Sequence, residues 1–211
     1  MNAETVLHPN PLRRPVVAAI VQQHAEEAAM LRHVRTVLVR APQVRLLQLG
    51  RIDARIAAHL DGLAVAGDAG MALLVAALER AGAGEVFALG VRAVECRDAK
   101  RLEQLLALAE VLPEAGRGLV SALGWVPAPL LQGHVAPLLA AAAPRRREIA
   151  LAACRLHRVD PGAALAAALD DADAALRAQA LRCAGALGRL DLRARVVAAI
   201  DDPEPEVALR A

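Results

Sequence analysis

Two segments set a histidine beside carboxylates, His24-Ala25-Glu26-Glu27 and His59-Leu60-Asp61. Imidazole and carboxylate together are the donors of zinc and di-iron centres held between helices. Residues two apart on a helix point about 200° apart, so a single His-x-carboxylate cannot grip one ion. Four ligands would have to converge from two helices. Packing or interhelical hydrogen bonding is the stronger expectation for His24 and His59.

Cys154 and His157 are three apart and share a helix face. A Cys–His dyad needs a lowered thiol pKa, access and an orienting third group. The neighbours Ala150, Leu151 and Leu156 point to a packed face instead. Ser121, the only serine, stands in Leu119-Val120-Ser121-Ala122-Leu123 rather than Gly-x-Ser-x-Gly, which argues against serine-hydrolase chemistry. No Walker loop or dinucleotide glycine fingerprint is present, and Gly82-Ala83-Gly84 reads as a turn between helices. Arg145-Arg146-Arg147 opens a helix, where positive charge opposes the helix dipole. That misfit marks a candidate contact site, with Arg182, Arg189, Arg193 and Arg195 as companions.

The elements that must position these residues are helices. The apolar fraction is 56%, carried by Ala, Leu and Val, with one Trp, one Phe and no Tyr. Small and straight-chain side chains lose little rotamer freedom in a helix, whereas sheet cores favour aromatic and β-branched residues. The net charge of +2 is too small to argue for a polyanion partner, and with 1% aromatics the chain lacks base-stacking platforms. Lys100 is the only lysine. The arginine bias reads as codon usage in a GC-rich genome, with an Arg-lined anion surface as the alternative. Three well-separated cysteines, Cys96, Cys154 and Cys183, fit a reducing cytoplasm. Residues 1–15 contain no apolar signal core. The uncharged stretch Gly118 to Pro144 is broken by prolines and glycines, so two buried helices are expected there and no membrane span.

A repeat organises the C-terminal part. The acidic turn Asp170-Asp171-Ala172-Asp173 leads into a helix, and Asp201-Asp202-Pro203-Glu204 restarts the pattern 31 residues later. Turn and helix pairs at such a period mark a helical solenoid. The expected organisation is a lead over 1–14, a helical hairpin over 15–67 and repeats over 68–211, the last incomplete. The first helix starts at Pro15 and ends by Ala41, before Pro42. The second runs near 49–65 with the stripe Ile52, Ile56, Leu60, Leu63, and Gly67 stops it. Further helices are expected near 69–80, 84–95, 99–111, 115–123 and 128–141. The clearest pairs are 145–157 with 161–169 and 173–187 with 192–200. The acidic turns cap helix starts. An incomplete last repeat is expected to expose an apolar edge, which further repeats of a longer solenoid, a partner or a second copy would cover.

The segments Val21-Gln22-Gln23-His24-Ala25-Glu26-Glu27-Ala28-Ala29, Asp53 to Gly67 and Gly84-Glu85-Val86-Phe87-Ala88 resemble an uncharacterised bacterial family. Its members carry an N-terminal helical region followed by HEAT-like repeats, and some are encoded near type VI secretion genes. The resemblance covers most of 16–211 and is specific in the His-Ala-Glu-Glu and Ala-His-Leu-Asp-Gly-Leu segments. The family often has an aromatic where this chain has Met30. HEAT-like repeats also often place an arginine, here Arg177, where it reaches acidic groups of a neighbouring repeat. The resemblance implies an adaptor, accessory or immunity role beside a secreted effector, without catalytic residues.

The expected fold is therefore all-α, a right-handed α-solenoid of HEAT-like hairpins with an N-terminal helical hairpin. The expected function is non-catalytic protein binding in the cytoplasm, with no cofactor and a possible homo-oligomer through the apolar edge. His24, Glu27, His59, Asp61, Arg145, Arg146 and Arg147 are the expected partner-binding residues. A His/carboxylate metal enzyme and a HEAT-like nucleic-acid binder are the alternatives.

Overall fold

The computed structural model describes residues 16–211; the expected lead and Pro15 lie outside them. The described residues form twelve α-helices joined by turns, four of them 3-10, and no strand. The chain is all-α, as its composition implied.

α1 (Ala18–Leu38) and α2 (Leu46–Val65) pack together as a hairpin, burying Ala28 and Leu31 from one and Ile56, Leu60 and Leu63 from the other. α1 stops at Leu38, earlier than Pro42 alone demands. α3 (Asp68–Ala77) follows and ends in a 3-10 turn, Leu78–Arg80. Beyond it, α4 (Ala83–Glu95), α6 (Pro113–Trp125), α8 (Pro144–His157), α10 (Ala174–Leu187) and α12 (Pro205–Ala208) start 30 or 31 residues apart. Each packs on the next, and α1 packs on α4, so these six helices make one continuous row. α5 (Ala99–Val111), α7 (Val135–Leu139), α9 (Ala163–Leu169) and α11 (Arg193–Ala198) alternate with them in sequence. α5 packs on α4 and α6, α7 on α8, and α9 on α10.

Local chemistry explains the starts. Pro113, Pro144 and Pro205 open α6, α8 and α12, where a missing N–H costs nothing. Asp173 instead caps α10, accepting from the Leu176 N–H at 2.9 Å. Gly188, at φ 66°, ends α10 in the left-handed region that glycine adopts without strain. The repeat thus begins at residue 83, well before the acidic turns that reveal it in the sequence.

Within the uncharged stretch the expected helix over 128–141 is split. Residues Ala128–Leu131 form a 3-10 turn and only Val135–Leu139 is α-helical, because Pro129, Gly133 and Pro137 interrupt the backbone ladder. No single helix among the described residues is long and apolar enough to cross a membrane.

Two apolar clusters form the core. One gathers Val86, Phe87, Leu105, Leu119 and Leu123 with residues of α1, α2, α3 and α8. The other gathers Leu165, Leu176, Leu181, Cys183, Leu192 and Val207 with Leu151 of α8. α4 and α6 approach most closely, because Gly90 and Gly118 place no side chain between them. A Cβ on Gly118 would meet the Ala83 carbonyl oxygen at 2.5 Å. At the other end Leu190, Val197, Ile200 and Leu209 are exposed on and around α11 and α12.

Candidate functional site

The two histidines meet. His24 Nδ1 lies 3.0 Å from His59 Nδ1, with the rings edge-on at 5.2 Å between centroids. Gly62 leaves room for the His24 ring, which a Cβ there would strike at 2.5 Å. Burial and the neighbouring His24 push the His59 pKa down, opposed by Glu27. Glu27 stands 3.6 Å from Arg55, while Asp61 is exposed and stays outside this group. No cluster of three or more His, Cys, Asp or Glu among the described residues could hold a metal ion. The pair is an interhelical hydrogen bond between α1 and α2, in which one imidazole donates and the other accepts.

The arginine run is matched inside the fold. Arg146 bonds Glu103 at 2.6 and 3.1 Å and Glu110 at 2.6 Å, both on α5. These carboxylates hold its guanidinium well above its ordinary pKa. Arg145 bonds Glu148 at 2.5 Å and reaches the Ala109 carbonyl at 3.3 Å. Arg147 pairs with Asp171 at 2.6 Å, 24 residues on. Thirty residues after Arg147, Arg177 makes the matching fork on Asp202, at 2.8 and 2.9 Å, and also bonds the Asp171 carbonyl at 2.8 Å. These arginines fasten successive repeats, and their charge is balanced by neighbours rather than left open as a basic face. The register between Arg147 and Arg177 was the sequence signal for this role.

Cys154 and His157 both line an apolar cavity of about 420 Å³ beside the 3-10 turn at Ala128–Leu131. His157 Nε2 is held at 2.7 Å by the Leu123 carbonyl, and burial pushes the Cys154 thiol up. That is the opposite of the shift a nucleophilic thiolate needs.

A larger recess lies elsewhere. A groove of about 1150 Å³ runs between α1, the end of α3 and the starts of α4 and α6. Its floor includes Ala25, Ala29, Ala77 and Gly84, and exposed Met30 lies along it. Arg32 of α1 is part of the lining of this groove. Its Nη1 donates to Thr36 Oγ1 and its Nη2 to Ser121 Oγ. Its guanidinium sits 5.7 Å from the centre of the Phe87 ring, and Phe87 packs edge-to-face on Trp125 at 5.6 Å. Asp53, the acid whose charge acts on Arg32, is forked by Arg35 at 2.5 and 3.2 Å. Burial, and then Arg35, pull the Arg32 pKa below its ordinary value, with Asp53 opposing.

Sequence reasoning set Ser121 aside as a failed nucleophile and missed Arg32 altogether. The available signal was scarcity. The only serine, one of only two threonines, the only phenylalanine and the only tryptophan all converge on Arg32 or on the ring beneath it.

No family model, no curated protein and no solved structure matches this chain.

Proposed function

We propose that this chain is a protein-binding scaffold, a right-handed α-solenoid of HEAT-like hairpins, that receives a segment of a partner protein in the groove between α1, α3 and α4. The groove carries the reading. At about 1150 Å³ it exceeds the roughly 300–1,000 Å³ of typical small-ligand pockets. Its alanine and glycine floor lets a partner backbone approach closely, and its rim supplies charged groups that fix register. An adaptor or accessory role, as the resemblance implies, needs no more than such a surface.

The test uses two baits, the intact chain and Ala76→Trp, which fills the groove from an exposed position on α3. A polypeptide retained stoichiometrically by the first and lost by the second, at equal helicity, supports the reading. A partner retained equally by both places the docking surface elsewhere and defeats it.

A further inference from the structure

We propose that Arg32 is the anchor of this groove and takes a carboxylate from an acidic segment of the partner. The inference rests on the groove being the docking surface and adds the chemistry of what docks there.

A guanidinium has five N–H donors in a rigid fork. Thr36 and Ser121 take two from Arg32, and both are neutral hydroxyls. The Phe87 face beside it is neutral as well. Three donors are left without a described acceptor, on a half-buried cation. Arg35, Arg147 and Arg177, likewise half-buried, are each closed by a carboxylate. Arg32 is instead held by two hydroxyls, with no ion pair among the described residues, on the wall of this groove. A side chain so oriented loses little freedom on binding, and it is suited to a bidentate carboxylate.

The acids of the groove do not fill that role. Glu26 accepts from Gln22 at 2.9 Å, Glu85 accepts from the Gly82 N–H at 3.1 Å, and Glu114 pairs with Arg117. Arg80, on the same rim, makes no ion pair among the described residues. The lining counts three arginines against three glutamates, so recognition is local at Arg32 rather than the work of a broad positive field. That balance favours a singly charged carboxylate over a phosphate, which recruits clustered cations. The small-residue floor favours a carboxylate that arrives on a peptide.

The experiment follows the Arg32 Nε–Hε resonance in protein labelled with ¹⁵N-arginine. The probe is a capped hexapeptide of alternating Glu and Ala. A Gln-for-Glu peptide and inorganic phosphate are the comparison arms. The expected result is a saturable shift of Arg32 with the Glu peptide in the millimolar range or below, at least about tenfold weaker with the Gln peptide. Arg32→Gln should weaken binding of the Glu peptide about tenfold, followed through the remaining groove resonances. Arg32→Lys, which keeps charge and loses the fork, should also weaken it. Circular dichroism checks that each variant is folded. Should Arg32→Gln not fold, Ser121→Ala frees the guanidinium while leaving it in place, and a several-fold loss is expected.

Equal binding of Glu and Gln peptides, undisturbed in Arg32→Gln yet blocked by Ala76→Trp, would overturn the anchor while leaving the groove a docking surface. Saturation by phosphate without saturation by the Glu peptide would overturn the assignment to a protein carboxylate. The absence of any saturable shift up to about 10 mM peptide would overturn the proposal outright.

Discussion

Two glycines in mid-helix positions separate intrinsic helix preference from packing. Gly50 in α2 has nothing within 4 Å of where a Cβ would stand, so Gly50→Ala adds only helix preference and reduces the freedom of the unfolded chain. That stabilises by about 0.5–1 kcal/mol. Gly118 in α6 has the same intrinsic preference to gain. Its added Cβ, however, would stand 2.5 Å from the Ala83 carbonyl oxygen and 2.9 Å from Val86 Cβ. The first of these is backbone of α4 and has no rotamer by which to withdraw. Restoring an ordinary 3.4 Å contact moves α4 by roughly 0.9 Å, and α4 carries buried Phe87 and Leu89. Overpacking of this kind costs about 1–3 kcal/mol, which outweighs the helix gain. Thermal melts followed at 222 nm should therefore move in opposite directions, up for Gly50→Ala and down for Gly118→Ala. The shared helix gain cancels between the two, so at about 2–4 °C per kcal/mol for a chain of this size the midpoints should separate by about 2–12 °C. Equal upward shifts would refute the close α4–α6 approach as the reason for glycine at position 118.

Three other outcomes follow from the geometry. The lowered His59 pKa means that the unfolded chain, at the ordinary value of 6.5, binds more protons than the folded one. Stability should therefore fall as pH drops below about 6.5, and His59→Gln should flatten the dependence of the melting midpoint between pH 7.5 and 5.5. Cys96 is exposed, whereas Cys154 and Cys183 are buried and the Cys183 thiol is pushed up to about 11. A thiol reagent at pH 7.5 should label one cysteine per folded chain and three in denaturant, and a second thiol reacting as fast as the first would contradict the packing of α8 on α10. Asp173→Ala removes the cap at the Leu176 N–H and should cost about 1 kcal/mol in urea unfolding, while Asp173→Asn should cost much less.

What the sequence revealed was local, and what it concealed was long-range. Helix type followed from composition, and the helices expected over 145–157 and 173–187 match α8 and α10 within one residue. The reach of Arg177 into the next acidic turn was expected only from the resemblance to HEAT-like repeats, and the structure places it on Asp202. The arginine run was read as a contact site because it opposes the helix dipole, and carboxylates that Arg146 bonds lie 36 and 43 residues upstream on α5, at Glu110 and Glu103. Periodicity does not say which face of α5 meets α8. Arg32 was hidden for the same reason, since Ser121 lies 89 residues away on α6, brought near by the mutual packing of α1, α4 and α6. His24 and His59 were flagged one by one, and the hairpin that joins them was expected, but the small contact that admits the ring, Gly62, gives no signal until the two helices are superposed in space.

α8 is a party wall. Ile149, Ala150 and Ala153 face the core shared with α1 to α7, while Leu151 faces the core shared with α9 to α12. Because α8 packs on α6 on one side and on α10 on the other, with Leu139 of α7 beside it against both cores, thermal openings of the distal core meet this layer before they reach Arg32. The fold thus behaves like a ship with a bulkhead. Local melting at the α10–α12 end is therefore expected to spare the compartment that shapes the groove.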